Sequence, residues 1–156
     1  MSELLSFILR AKAATYVGSG ERAVASRPGS HDLVYTEDGW QYRDSYFGGT
    51  DFIGQETVWK MTVDSVEPVW AMNYYGKIAR DDLLDGAESG RIIKQALFAM
   101  YAEGRFLGGF RWEDGNGPVY VDESNGDYQN FTGHESISIG GVEAYLLVYN
   151  GGLIRP

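Results

Sequence analysis

The chain contains no cysteine, which excludes disulfides, thiolate zinc sites and a cysteine nucleophile and suits a reducing cytoplasm. Histidine occurs only as His31 and His134; with no H-x-x-x-H and no carboxylate triad, no metal site is expected. No apolar run approaches membrane-spanning length, and the start Met1-Ser2-Glu3, with its first basic residue at Arg10, lacks the charged beginning of a secretory signal. A soluble cytoplasmic protein without membrane contact is expected. Basic residues are scarce too: 13 Lys and Arg stand against 22 Asp and Glu, a formal charge of −9. That balance repels a phosphate backbone and argues against direct nucleic-acid binding.

Several nucleotide and ion motifs are missing as well. Gly104 to Gly109 is not followed by Lys-Ser/Thr, and no Gly-x-Ser-x-Gly elbow occurs. Asp114-x-Asn116-Gly117 and Asp122 to Asp127 lack the ligand rhythm and twelfth-position Glu of a calcium loop. No cofactor is expected.

What is present in excess is Gly, 21 residues, and Tyr, 11 residues, a composition of many turns and aromatic strands. A length of 156 residues suits one domain that buries roughly 70% of its extended surface. Its most apolar run, Pro68 to Gly76, places Trp70, Met72, Tyr74 and Tyr75 between a proline and a glycine. It reads as the central strand, buried on both faces, with Asn73 as an internal amide in need of partners.

Around that strand the chain predicts a first helix over Ser2 to Thr15, with Ser2 as N-cap, stopping before Gly18 and Gly20. An irregular segment from Glu21 ends in the Arg27-Pro28-Gly29-Ser30 turn. Strands follow at His31 to Glu37, Trp40 to Phe47 after the Asp38-Gly39 hairpin turn, Phe52 to Met61, and Pro68 to Gly76 beyond a polar loop from Thr62 to Glu67. A second helix, from Gly90 to Glu103 with Ser89 as N-cap, precedes strands at Pro118 to Glu123, Asp127 to Phe131, Glu135 to Ile139 and Val142 to Tyr149, with Ser124-Asn125-Gly126 as a turn. Val34-Tyr35 matches Val119-Tyr120, Phe52-x-Gly54-x-Glu56 matches Phe131-x-Gly133-x-Glu135, and Val66 to Ile78 matches Val142 to Ile154 in outline. The expected fold is α+β: a curved antiparallel sheet packed by two helices, a duplicated helix-plus-four-strand unit with halves of about 1–78 and 79–156. A cleft is expected at the seam between them.

Arg27-Pro28-Gly29-Ser30-His31-Asp32, Tyr46-Phe47-Gly48-Gly49, Phe52-x-Gly54-x-Glu56, Trp70 to Gly76 and Gly151-Gly152-Leu153-Ile154 together resemble an uncharacterised bacterial family of domains of unknown function. Its members look like free-standing domains or the C-terminal part of regulators with a xenobiotic-response-type helix-turn-helix. The resemblance implies a sensor or protein-contact domain and carries no catalytic residues.

Candidate site residues fall in three groups. Arg27, His31 and Asp32 cluster within six residues; His31 is a candidate general base, although neighbours in a strand face opposite ways, and the simpler reading is a capped turn. On the strand from Trp40, the side chains of Tyr42, Asp44 and Tyr46 share one face and suit a cationic or hydrogen-bonding ligand; the alternative is a pair between Asp44 and a Lys or Arg. Glu56, with its counterpart Glu135, is a candidate for acid–base work or for a structural pair with an arginine. Trp70, Asn73, Tyr74 and Trp112 complete the candidate ligand-binding set. The leading reading is a small-molecule-binding module, sensing or sequestering, whose concave pocket exposes Trp70, Tyr42 or Trp112. A protein-interaction domain with an acidic surface comes second, and a hydrolase or isomerase using His31 with Asp32 or Glu56 third.

Overall fold

The computed structural model describes residues 2–17, 21–115 and 117–155. The expected helix stop at Gly18 and Gly20 and the Asn116 position lie outside them. Helix α1 (Glu3–Lys12) starts where the Ser2 hydroxyl accepts the Leu5 amide, and continues into one π-helical turn, Ala13–Val17. Helix α2 (Gly86–Ala102) starts earlier than its apolar stripe predicts, because the Asp85 carboxylate accepts the Glu88 amide and caps it four residues before Ser89. Ser89 is instead a buried helical residue.

Among the described residues, nine strands form one antiparallel sheet: β1 (Glu21–Ala23), β2 (His31–Glu37), β3 (Trp40–Gly48), β4 (Phe52–Met61), β5 (Val66–Ile78), β6 (Phe110–Glu113), β7 (Val119–Asp127), β8 (Asn130–Ile139) and β9 (Val142–Leu153). The spatial order is β1-β2-β3-β4-β5-β9-β8-β7-β6, open at both edges. The α+β class and the curved antiparallel sheet under two helices are thus as the sequence predicts. Tight turns drive the meander: Asp38 and Gly39 both take positive φ between β2 and β3, the backbone a two-residue hairpin requires.

Four expectations need correction. Glu21–Ala23 is a short edge strand rather than irregular, because it pairs with Asp32 to Val34. Phe110–Glu113 is a strand, β6, which its short alternating pattern concealed. Ser124-Asn125-Gly126 lies inside β7, whose turn falls at Tyr128 and Gln129, so the two strands expected at Asp127 to Phe131 and Glu135 to Ile139 are the single strand β8. Strand β5 is central, yet it is buried on one face only: Trp70, Met72 and Tyr74 point under the helices while Asn73 and Tyr75 are exposed on the other side. Asn73 finds its partner there, accepting from the Gln55 side chain at 2.8 Å. Pro68 is tolerated within β5 because it sits at the bulge between Val58 and Trp59, before the ladder with β9 begins at Trp70.

Strand order is a palindrome about the β5–β9 pair. Strands β4 and β8 stand one step out, and β3 and β7 two steps out. Val119-Tyr120 therefore lies on the counterpart of β3, not on that of β2 where Val34-Tyr35 lies. Tyr74 and Tyr149 are direct partners at the centre. Glu56 and Glu135 occupy matching places on β4 and β8, and bulges occur after Val58 and after Ile137. Both helices cover the same face of the sheet, where the core of Phe7, Ile8, Ile92, Ile93, Met100, Trp70, Phe131 and Tyr145 is sealed. Among the described residues, no helix is long and apolar enough to cross a membrane.

Candidate functional site

The helix-covered face carries charge as well as apolar side chains. Asp44 on β3 lies directly opposite Glu56 on β4, and Asp122 on β7 directly opposite Glu135 on β8. The close carboxyl pairs are therefore Asp44/Glu56 and Asp122/Glu135, one in each half, rather than Glu56 with Glu135. Like charges opposed in a ladder repel, and burial adds a desolvation cost. Lys12, in the buried stripe of α1, reaches Glu56 with Nζ 2.8 Å from Oε1 and 2.6 Å from Oε2. It is the one buried basic side chain among the described residues, against Asp44, Glu56 and Asp122.

Protonation answers that imbalance. Desolvation, then the facing Glu56 charge, raise the Asp44 carboxyl to about 7 even though the Tyr74 hydroxyl donates to its Oδ1 at 2.5 Å. Desolvation and the facing Asp122 charge raise Glu135 to about 8. Asp122 is pushed up by burial and held back by the Tyr149 hydroxyl, which donates to Oδ2 at 2.7 Å. Its Oδ1, and the hydroxyls of Tyr120 and Tyr145, are buried without a hydrogen-bond partner among the described residues.

Two glycines make these tyrosine–aspartate bonds possible. Tyr74 extends from β5 across β4 to reach Asp44 on β3, and a Cβ on Gly54 would overlap its hydroxyl. Gly133 leaves the same gap for Tyr149 to reach Asp122. The Gly-x-Glu motif thus encodes both a passage for a ring and a buried carboxyl two residues on.

Asp44 opens into a cleft of about 360 Å³ between β3 to β5 and the start of α2, a volume within the range of small-molecule sites. Its walls include Tyr16, Tyr46, Phe52 and Tyr74, with Leu33 and Ile93; Arg22, Thr50, Gly86, Gly90 and Lys94 also line it. Tyr16 is desolvated and feels Glu135 and Asp44 most among the charges, which pushes its hydroxyl up.

The candidate residues are distributed as follows. Asp44, Tyr46 and Tyr74 line the cleft. Glu56 is buried in its ion pair with Lys12, and Tyr42 is buried on the same face. Trp70 lies fully buried, stacked on Phe131 with centroids 5.9 Å apart and donating from Nε1 to the Tyr128 carbonyl at 2.8 Å. Trp112, on β6, is half-buried and does not line the cleft. The expectation of a pocket exposing Trp70, Tyr42 or Trp112 is therefore corrected: the largest rings fill the centre of the core, and smaller aromatics nearer the helix ends wall the cleft. The His31 ring packs at a tilt against Tyr46 with centroids 5.2 Å apart.

Asp32 faces the opposite side of the sheet. There its desolvation is outweighed by hydrogen bonds from Ser26, Ser30 and Arg43, which hold its carboxyl well below the usual range. Arg27 joins that cluster through Ser45 and stacks over Phe47 at 4.5 Å. Arg27 and Asn73 border a shallow groove on this helix-free face. His31 and Asp32 are thus divided by the sheet, and among the described residues no hydrogen bond joins His31 to a carboxylate. Nor do three His, Asp or Glu side chains group as for a metal ion among the described residues.

Lys12, Tyr16, Arg22, Phe52 and Lys94 escape sequence reasoning. Lys12 alone leaves a signal: it stands at i+4 from Ile8 and i+8 from Leu4, so it is a charge inside an apolar stripe.

No curated protein and no solved structure matches the chain. A family model matches residues 44–154, beginning at Asp44 and taking in both carboxyl pairs. The chain belongs to that family, described as a domain of unknown function, DUF5680.

Proposed function

We propose that this protein binds a small organic molecule bearing a basic nitrogen in the cleft above Asp44, as a sensing or sequestering module. One observation carries this reading. Asp44 is a buried carboxyl at an aromatic-walled cleft, and among the described residues its hydrogen bond comes from the neutral Tyr74 while the nearest buried ammonium belongs to Glu56. A ligand cation would supply the missing counter-charge, and the faces of Tyr16, Tyr46 and Phe52 would favour it further.

A thermal-shift titration with benzylamine as the probe tests this, since a ligand that binds only the folded state raises Tm by mass action. The expected result is a saturable rise that Asp44→Asn removes. Gly90→Leu is the second variant: a side chain there meets no atom within 4 Å at its Cβ and fills the cleft from α2. A folded Gly90→Leu protein that still responds to benzylamine sinks the proposal.

The matching carboxyl pairs, tyrosine–aspartate bonds and bulges on either side of β5 and β9 support reading the chain as one domain made of two copies of a helix-plus-four-strand unit. A second functional reading, contact with a protein partner, is favoured by the row of Ile53, Tyr75 and Val148. These are direct cross-strand neighbours on β4, β5 and β9, all exposed on the helix-free face.

A further inference from the structure

The cleft has charge of both signs, and the signs are segregated. Asp44 is 2% exposed and forms the deep acidic point, whereas Arg22 and Lys94 are exposed and line the same cleft nearer solvent. Lys94 makes no ion pair among the described residues; it projects from the third turn of α2, whose first residue, Gly86, also borders the cleft. The amino end of a helix adds partial positive charge on that side. Tyr46 lines the cleft with both poles: burial raises its hydroxyl first, the Asp44 charge raises it further and the Arg22 charge lowers it. A purely cationic ligand would satisfy Asp44 and be repelled by Arg22 and Lys94, and a purely anionic one would meet the reverse.

We propose that the ligand is amphoteric, an amine held on Asp44 and carrying at its far end a carboxylate or phosphate read by Arg22 and Lys94, with an apolar or aromatic spacer between. This rests on the reading of the Asp44 cleft as a small-molecule site and specifies what that site selects. Segregated poles also impose a direction: the ligand enters amine first. Arg22 and Lys94 are specificity residues, because they discriminate the acidic end and do not touch the amine.

Three small probes with a common ring separate the possibilities: 4-(aminomethyl)benzoate, benzylamine and benzoate, titrated by calorimetry against the full chain. The expected order is 4-(aminomethyl)benzoate at least ten-fold tighter than benzylamine, with benzoate not bound. In Arg22→Glu/Lys94→Glu, whose changes are on exposed side chains, the two amines should bind alike or benzylamine the tighter. Equal binding of the two amines to the unsubstituted protein, or an unchanged preference in the double variant, overturns the amphoteric assignment and leaves the amine site standing. Binding of benzoate alone, or of no probe, overturns both.

Discussion

Gly54 lacks a side chain at the point where the Tyr74 ring crosses its strand, and the hydrogen bond from Tyr74 to Asp44 exists because of that gap. An alanine there must displace the ring or the neighbouring Tyr46. Gly54→Ala should therefore destabilise the protein by about 1–3 kcal/mol, the usual penalty of overpacking, and weaken benzylamine binding. Gly133→Ala should cost a similar amount through Tyr149 and leave the cleft response in place. Urea denaturation with a parallel benzylamine titration checks both, and equal loss of binding in the two variants would contradict the assignment of the amine to Asp44 rather than to Asp122.

Stability should fall as pH rises from 5 to 8. In the unfolded chain Asp44 and Glu135 lose their protons near pH 4, whereas in the folded protein they keep them until about 7 and about 8. The stability due to retained protons is complete below the unfolded values and is lost as pH passes through the folded ones, at up to about 1.4 kcal/mol per pH unit for each group. Asp44→Asn should flatten the slope between pH 5 and 7. A urea midpoint that is level or rising over this range in the unsubstituted protein would count against the buried, protonated carboxyls.

Lys12→Met should be among the most damaging single changes. It leaves the Glu56 carboxylate buried without its ammonium, a loss of about 3–5 kcal/mol in comparable buried pairs. Lys12→Met combined with Glu56→Gln removes both charges and should recover most of that loss, because the end of the Lys12 side chain already lies beside Met72 Sδ and the Phe106 ring. A double variant as unstable as the single one would show that packing, not charge, explains the effect.

Trp70→Phe separates core from cleft. It deletes the hydrogen bond to the Tyr128 carbonyl and part of the stack on Phe131, for an expected loss of about 1–3 kcal/mol. Benzylamine binding, measured well below the melting transition, should not change, since Trp70 lines no part of the cleft.

The sequence and structure agree most closely where local chemistry decides the outcome. The Asp38-Gly39 turn places β2 and β3 in register, and alternation from Trp40 correctly puts Tyr42, Asp44 and Tyr46 on one face. Burial of β5 on one side only is not legible from its composition. Tyr75 and Asn73 are exposed because both helices lie on the other face, a tertiary choice that no run of apolar residues announces. The cleft was legible in part. Asp44, Tyr46 and Tyr74 come from strands whose period is plain, whereas Tyr16, Arg22 and Lys94 reach it from separate elements whose meeting depends on how the helices settle on the sheet. The partner of Asp44 was missed for a related reason: β3 and β4 bring Glu56 opposite it only once their register is known.

The palindromic strand order also bears on how the molecule assembles in time. Among the described residues, every ladder in the sheet except one joins strands that follow each other along the chain, so each meander can pair locally. The exception is β5 with β9, where Tyr74 meets Tyr149 across almost half the sequence. Closing that long loop is entropically unfavourable until both partners are already formed. The central seam is thus expected to pair last and to limit the folding rate, even though its strands are central in the sheet once it has closed.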